Sequence, residues 1–413
     1  METAAAESDQ PVSEFSLDLE RPVALHPLTF LDEGDEVTVG RSDIDSYCVL
    51  PADGAALLRE LASGTAPRPA AAWYEATYGQ SVDIAEFLEA MDEMGFVAAP
   101  GEQVPVSRPV RWQRLGRAVF SPVALLGYGA LLIAAIVTMI QHHDLAPQYH
   151  NLFFSPYVTV VVMVVFVGQF PFILLHESFH ALAGRRLGLR SRMGIGRRLY
   201  FVVIETSLDG LVAVPRRKRY LPMLAGMLVD LVSVAVLTLV AALLRGPDGA
   251  EPVIGGVCLA MAFANLLRFV WQFYFYLQTD LYHVVVTVFG CVDLQKTARR
   301  MIANRVNRVL GRRGRLIDET TWHPTDRAVA RWYSWLLVIG YGFSIGTLLL
   351  AGVPATYHMF SVVLGRLFSG AGLAGVTDSV AFLVVNVVQF AVLGYLLLRQ
   401  RRDRAPAPTH VLD

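Results

Sequence analysis

The stretch HESFH, residues 176–180, sets two histidines four residues apart, with a glutamate after the first, at the end of the apolar run VVVMVVFVGQFPFILL. On a helix, residues i and i+4 share a face, so His176 and His180 can point at one ion. Imidazole nitrogens suit Zn²⁺ at about 2.0–2.1 Å. Glu177 is placed to take a proton from water at such a metal and pass it to a leaving amine. The competing reading is a satisfied polar cluster without metal. Ionisable groups at membrane depth are costly unless paired or metal-bound, which favours the ion.

A catalytic zinc keeps one position open, so a third protein ligand is expected from elsewhere in the chain. Three acids are candidates: Asp280 in FYFYLQTDLYHVV, Asp230 in LAGMLVDLV and Asp209 in SLDGL. Asp209 precedes a glycine and reads as a turn. His176 lies about 30 Å along its apolar run at 1.5 Å per residue, towards the far end. Asp280 closes a later run of the same direction, so the two can share a depth. Asp280 is therefore preferred, with Asp230 kept as the alternative. His283, three residues after Asp280, could be an additional ligand or a partner that orients one, but the preferred reading is an interfacial histidine.

The elements that must hold these groups follow from composition. Of 413 residues, 54% are hydrophobic and 17% charged, which excludes an ordinary soluble globular chain. The net charge of −1 gives no reason to expect nucleic acid. Three scattered cysteines make neither a disulfide framework nor a CxxC metal site. The acidic first 25 residues lack the apolar core of a signal peptide. Six apolar runs, roughly 118–140, 156–183, 220–244, 253–277, 329–352 and 376–398, approach the length needed to cross hydrocarbon. A shorter run near 354–368 reads as interfacial or re-entrant. Arginine and lysine gather before the first run and after every second one, the pattern of a multi-pass cell-membrane protein with both termini cytoplasmic.

The expected fold class is thus mainly α: a polytopic bundle of about six transmembrane helices behind a small α+β winged-helix-like cytoplasmic domain. The boundaries read as a disordered tail (1–20), the small domain (21–105), a membrane core (106–290), a basic cytoplasmic segment (291–328) and C-terminal membrane helices with a basic tail (329–413). Within the small domain, a strand at Tyr47 and Val49 precedes a helix carrying Ala55, Leu57, Leu58 and Leu61. A second helix follows Pro69. A third places Ile84, Phe87, Leu88, Met91 and Met94 on one face and stops at Gly95. Phe96 and Val97 read as a closing strand. The stretch 198–214 reads as two strands around a Leu-Asp-Gly turn, where an unwound substrate could pair.

HESFHALAGRRLG (176–188), LAGMLVD (224–230) and TDLYHVV (279–285) together resemble the site-2 protease family of intramembrane zinc metalloproteases, in its bacterial peptide zinc metalloprotease branch. The resemblance covers about residues 156–290. It implies a zinc endopeptidase with His176, His180 and Asp280 as ligands and Glu177 as catalytic base. Asp230 stands where the family has the asparagine after Ala-Gly-Pro. Met227 replaces that proline, and Leu281 replaces the glycine that follows the ligand. SYCVLPADGAALLRELASGT with VDIAEFLEAMDEMGFV resembles a PqqD-like domain, which implies capture of a leader peptide. Implied partners are a peptide or membrane-protein substrate, a leader peptide at the N-terminal domain, and membrane lipid. The alternative is a non-catalytic peptide chaperone, export partner or immunity protein of a modified-peptide pathway; a metal transporter lacks a second polar site along a path.

Overall fold

The computed structural model describes residues 18–34, 36–41, 43–98, 110–199, 201–247, 249–368 and 372–403. The expected tail lies almost wholly outside them. The chain forms two compact units: Met1–Arg111 with 187–192 and 208–219, and 112–186 with 193–207 and 220–413.

The first unit holds three antiparallel strands in the order β1 (Thr29–Glu33), β2 (Glu36–Arg41) and β3 (Ser46–Pro51). Three helices follow: α1 (Ala52–Ala62), α2 (Pro67–Tyr78) and α3 (Ile84–Glu93). β3 and the helices match the sequence reading. The β1–β2 hairpin does not appear in it, although Gly34 (φ 80°) gives the turn and Val37 and Val39 are buried. The two sheet valines pack on Ala55, Leu58, Met91 and Phe96. Leu57, Leu61, Tyr74, Ile84 and Leu88 form an adjoining cluster. Asp83 caps α3 by accepting from the amides of Ala85 and Glu86, and Gly95 (φ 70°) ends that helix, after which Val97 makes only an isolated bridge to Leu25. The segment 208–219 joins this unit through polar contacts. The Gly210 amide donates to Asp45 at 2.8 Å, and Arg216 and Arg219 pair with Glu33 at 3.1 and 3.0 Å.

The second unit is helical: α4 (Gln113–Val119), α5 (Pro122–Gln141), α6 (Val158–Arg186), then, after the strands β4 (Arg190–Arg198) and β5 (Phe201–Asp209), α7 (Arg216–Leu244), α8 (Val253–Trp271), α9 (Asp280–Phe289), α10 (Leu294–Val309), α11 (Pro324–Thr347), α12 (Val353–Phe368) and α13 (Leu373–Asp403). Five helices among the described residues are long and apolar enough to cross a membrane: 122–141, 159–186, 216–244, 253–271 and 324–350. On α5, Val123 is 78% and Leu126 75% exposed, an apolar surface of the kind hydrocarbon covers. The sixth expected run lies on α13, and part of its side chains falls outside the described residues.

Two boundaries differ from the sequence reading. The fourth run is helical only to Trp271; residues 272–279 then turn the chain so that Asp280 opens α9. The strands expected around Leu-Asp-Gly lie one segment earlier: β4 and β5 pair with each other, and the connection begins at Leu199 (φ 55°). Asp209 and Gly210 (φ 81°) end β5 instead. A glycine in the left-handed region stops a strand as readily as it reverses one, and the real connection carries no glycine or asparagine signal.

Candidate metal centre

His176 and His180 sit one turn apart on α6 and are buried. Asp280, the first residue of α9, faces them. Its amide donates to the Gln272 side chain at 3.1 Å, and the Thr279 hydroxyl donates to the Gln272 carbonyl at 2.6 Å, so the end of α8 orients the start of α9. His176 Nε2 and His180 Nε2 each lie 3.1 Å from Asp280 Oδ2 and 3.1 Å from one another. The three atoms form an equilateral triangle. Three ligands of a tetrahedral zinc at 2.0–2.1 Å stand about 3.3 Å apart, so the triangle has the right size.

The other ring nitrogens decide what the triangle can bind. His180 Nδ1 is 2.6 Å from the carbonyl of Pro222, which can only accept, so Nδ1 carries the proton. His176 Nδ1 is 2.9 Å from Asp230 Oδ2 and donates to it. With both imidazoles neutral, the two Nε2 atoms present lone pairs, and the carboxylate oxygen presents another. Three acceptors facing each other at this distance repel unless a cation lies among them.

Asp230 on α7 is fully buried and has no place in the triangle. Its second oxygen accepts from Arg268 Nε at 3.1 Å and Nη2 at 2.5 Å. Arg268 on α8 also donates to Gln169 at 3.0 Å and to Asn265 at 2.5 Å. The network ties α6, α7 and α8 together behind His176. Asp230, weighed in the sequence as a possible ligand, instead holds the outer nitrogen of the His176 ring and fixes that ring's orientation. Arg268, Gln169 and Asn265 were missed in the sequence. The signal was a lone arginine inside an apolar run, NLLRFV, whose partner must be buried with it.

Glu177 is buried beside the triangle, and its backbone carbonyl accepts from the Thr206 hydroxyl on β5 at 3.1 Å. Arg198 at the end of β4 pairs with Glu205 at 2.6 Å and donates to the Gln278 carbonyl at 3.1 Å, two residues before Asp280. The hairpin thus touches both chain segments that make the centre. His283 is exposed and outside the cluster; Asp209 pairs with Arg192 at 3.1 Å and is also outside it. No family model, curated protein or solved structure matches the chain.

Proposed function

We propose that the chain is a membrane zinc endopeptidase in which His176, His180 and Asp280 hold the metal and Glu177 is the general base. The observation that carries this reading is the triangle of lone pairs at 3.1 Å with both Nδ1 protons committed elsewhere. Two nitrogens and one carboxylate oxygen suit zinc better than calcium or magnesium, which take oxygen ligands. The buried charge points the same way. With neutral imidazoles, three carboxylates (Glu177, Asp230, Asp280) stand against one guanidinium (Arg268), leaving two negative charges that a divalent ion balances.

Zinc bound there would polarise the peptide carbonyl and make water a better nucleophile. Glu177 removes the proton from the attacking water and delivers it to the leaving amine. The hairpin β4–β5 offers backbone on which an unwound substrate pairs as a strand. In the first unit, the order β1–β2–β3 leaves β3 an edge strand suited to a leader peptide by the same mode. Lipid surrounds the five apolar helices.

Metal analysis of the detergent-purified chain tests the reading. Wild type carries about one zinc per chain, and His180→Ala and Asp280→Ala lose it. Glu177→Gln keeps the metal while hydrolysis of an unfolded reporter polypeptide falls by about 10²–10⁴. A wild type free of zinc after supplementation sinks the proposal. Function indifferent to Glu177→Gln points to a peptide chaperone, export partner or immunity protein instead.

A further inference from the structure

Gly226 lies on α7 midway between Pro222 and Asp230, and the three residues repeat every fourth position along one face. The two ends of this stripe engage the outer nitrogens of His180 and His176. The centre faces the inner ones. A Cβ built at Gly226 would overlap both Nε2 atoms, with the His176 ring edge next nearest. Its φ is not positive, so the backbone does not call for glycine there. Its neighbours Ala225 and Met227 are buried side chains in a well-packed helix interior. Helix propensity alone favours alanine over glycine.

We infer that Gly226 is a positioning residue of the metal centre: its missing side chain is the space in which the ion meets the two imidazoles, and any Cβ there excludes the ion. This inference rests on the zinc reading above. The argument is one of volume. A methyl group at 226 and two imidazoles poised for one ion cannot share the site. The rings must swing away, and they then leave their partners at Pro222 and Asp230, which are fixed on the same helix. Close packing leaves no room for the methyl to go elsewhere.

Zinc content of full-length Gly226→Ala, measured beside wild type, tests this. The expected result is at least a tenfold drop in bound zinc, on the scale of losing a residue that orients a ligand. Size-exclusion behaviour should be unchanged, and the apparent Tm in the presence of chelator should fall below that of wild type, because the displaced rings give up their partners at Pro222 and Asp230. Zinc retained by Gly226→Ala at the wild-type level overturns the role of Gly226 and leaves the metal reading intact. Wild type without zinc overturns both. If Gly226→Ala does not fold, the same substitution is placed in His176→Ala/His180→Ala. Recovery of a folded chain there supports the clash with the imidazoles. Failure in that background too overturns the inference, because the methyl then collides with something else.

Discussion

Asp230 accepts from His176 Nδ1 at 2.9 Å with one oxygen and from Arg268 with the other, so a single buried carboxylate links an imidazole to a guanidinium. The two partners are mutually dependent. Asp230 without Arg268 is an uncompensated buried anion, and Arg268 without Asp230 an uncompensated buried cation.

Asp230→Asn is therefore expected to weaken zinc binding about 10- to 100-fold, although the amide oxygen can still accept from Nδ1. Arg268→Met alone should be at least as harmful. The double variant Asp230→Asn/Arg268→Met should recover much of the loss, because both charges leave together. Competition with a zinc-binding dye measures all three. Additive losses in the double variant would rule out the coupling.

Metal removal should destabilise the second unit. Zinc supplied at a hundredfold its dissociation constant stabilises the folded chain by about 2.7 kcal/mol if the unfolded chain does not bind it. Treatment with a strong chelator should lower the apparent Tm, and added zinc should restore it. In His180→Ala, chelator and zinc should both be without effect.

A pH-dependent element lies in the N-terminal unit. The Tyr74 hydroxyl donates to Asp53 at 2.6 Å and holds that carboxyl below the usual carboxylate range. A carboxyl depressed in the folded state contributes stability above its unfolded pKa and loses it as pH falls through the folded value. Tyr74→Phe should thus cost about 1 kcal/mol at neutral pH, and the gap to wild type should close as pH falls below about 4. Thermal melts across that range read it out; a gap that is constant with pH contradicts the assignment.

Asp326 is buried at the start of α11, and its two oxygens accept from the amides of Val292 at 2.9 Å and Asp293 at 2.8 Å. Both partners are donors. Asp326→Asn should be nearly as destabilising as Asp326→Ala, about 1–3 kcal/mol, because one amide group then faces an N–H with its own N–H. Chemical or thermal unfolding of the two variants compares them directly.

Much of the centre could be read in the sequence because its first part is local. His176 and His180 share a face by helix geometry alone, and Asp280 follows an apolar run that ends at a matching depth. Asp230 shows where that reasoning stops. An acid on a neighbouring apolar run serves equally as ligand or as support, and only the ring nitrogen it meets distinguishes the two. Arg268 was hidden for a related reason: its partner lies 38 residues away on another helix. The β4–β5 connection was misplaced because Gly210 carried a stronger turn signal than Leu199, whose left-handed backbone has no signature in residue type. β1 and β2 went unread although Val37 and Val39 alternate with polar neighbours, since the hairpin is short and its turn is held by one glycine.

The stripe on α7 supports the centre with a backbone carbonyl at 222, an empty position at 226 and a single functional side chain at 230. A truncation scan along this helix would register only Asp230. Pro222→Ala leaves its carbonyl in place, and nothing can be removed from a glycine. Two of the three supports become visible only to mutations that enlarge a residue or shift the helix: tolerance of alanine at 222 says nothing about how much the centre depends on that carbonyl, whereas at 226 even a methyl is an enlargement.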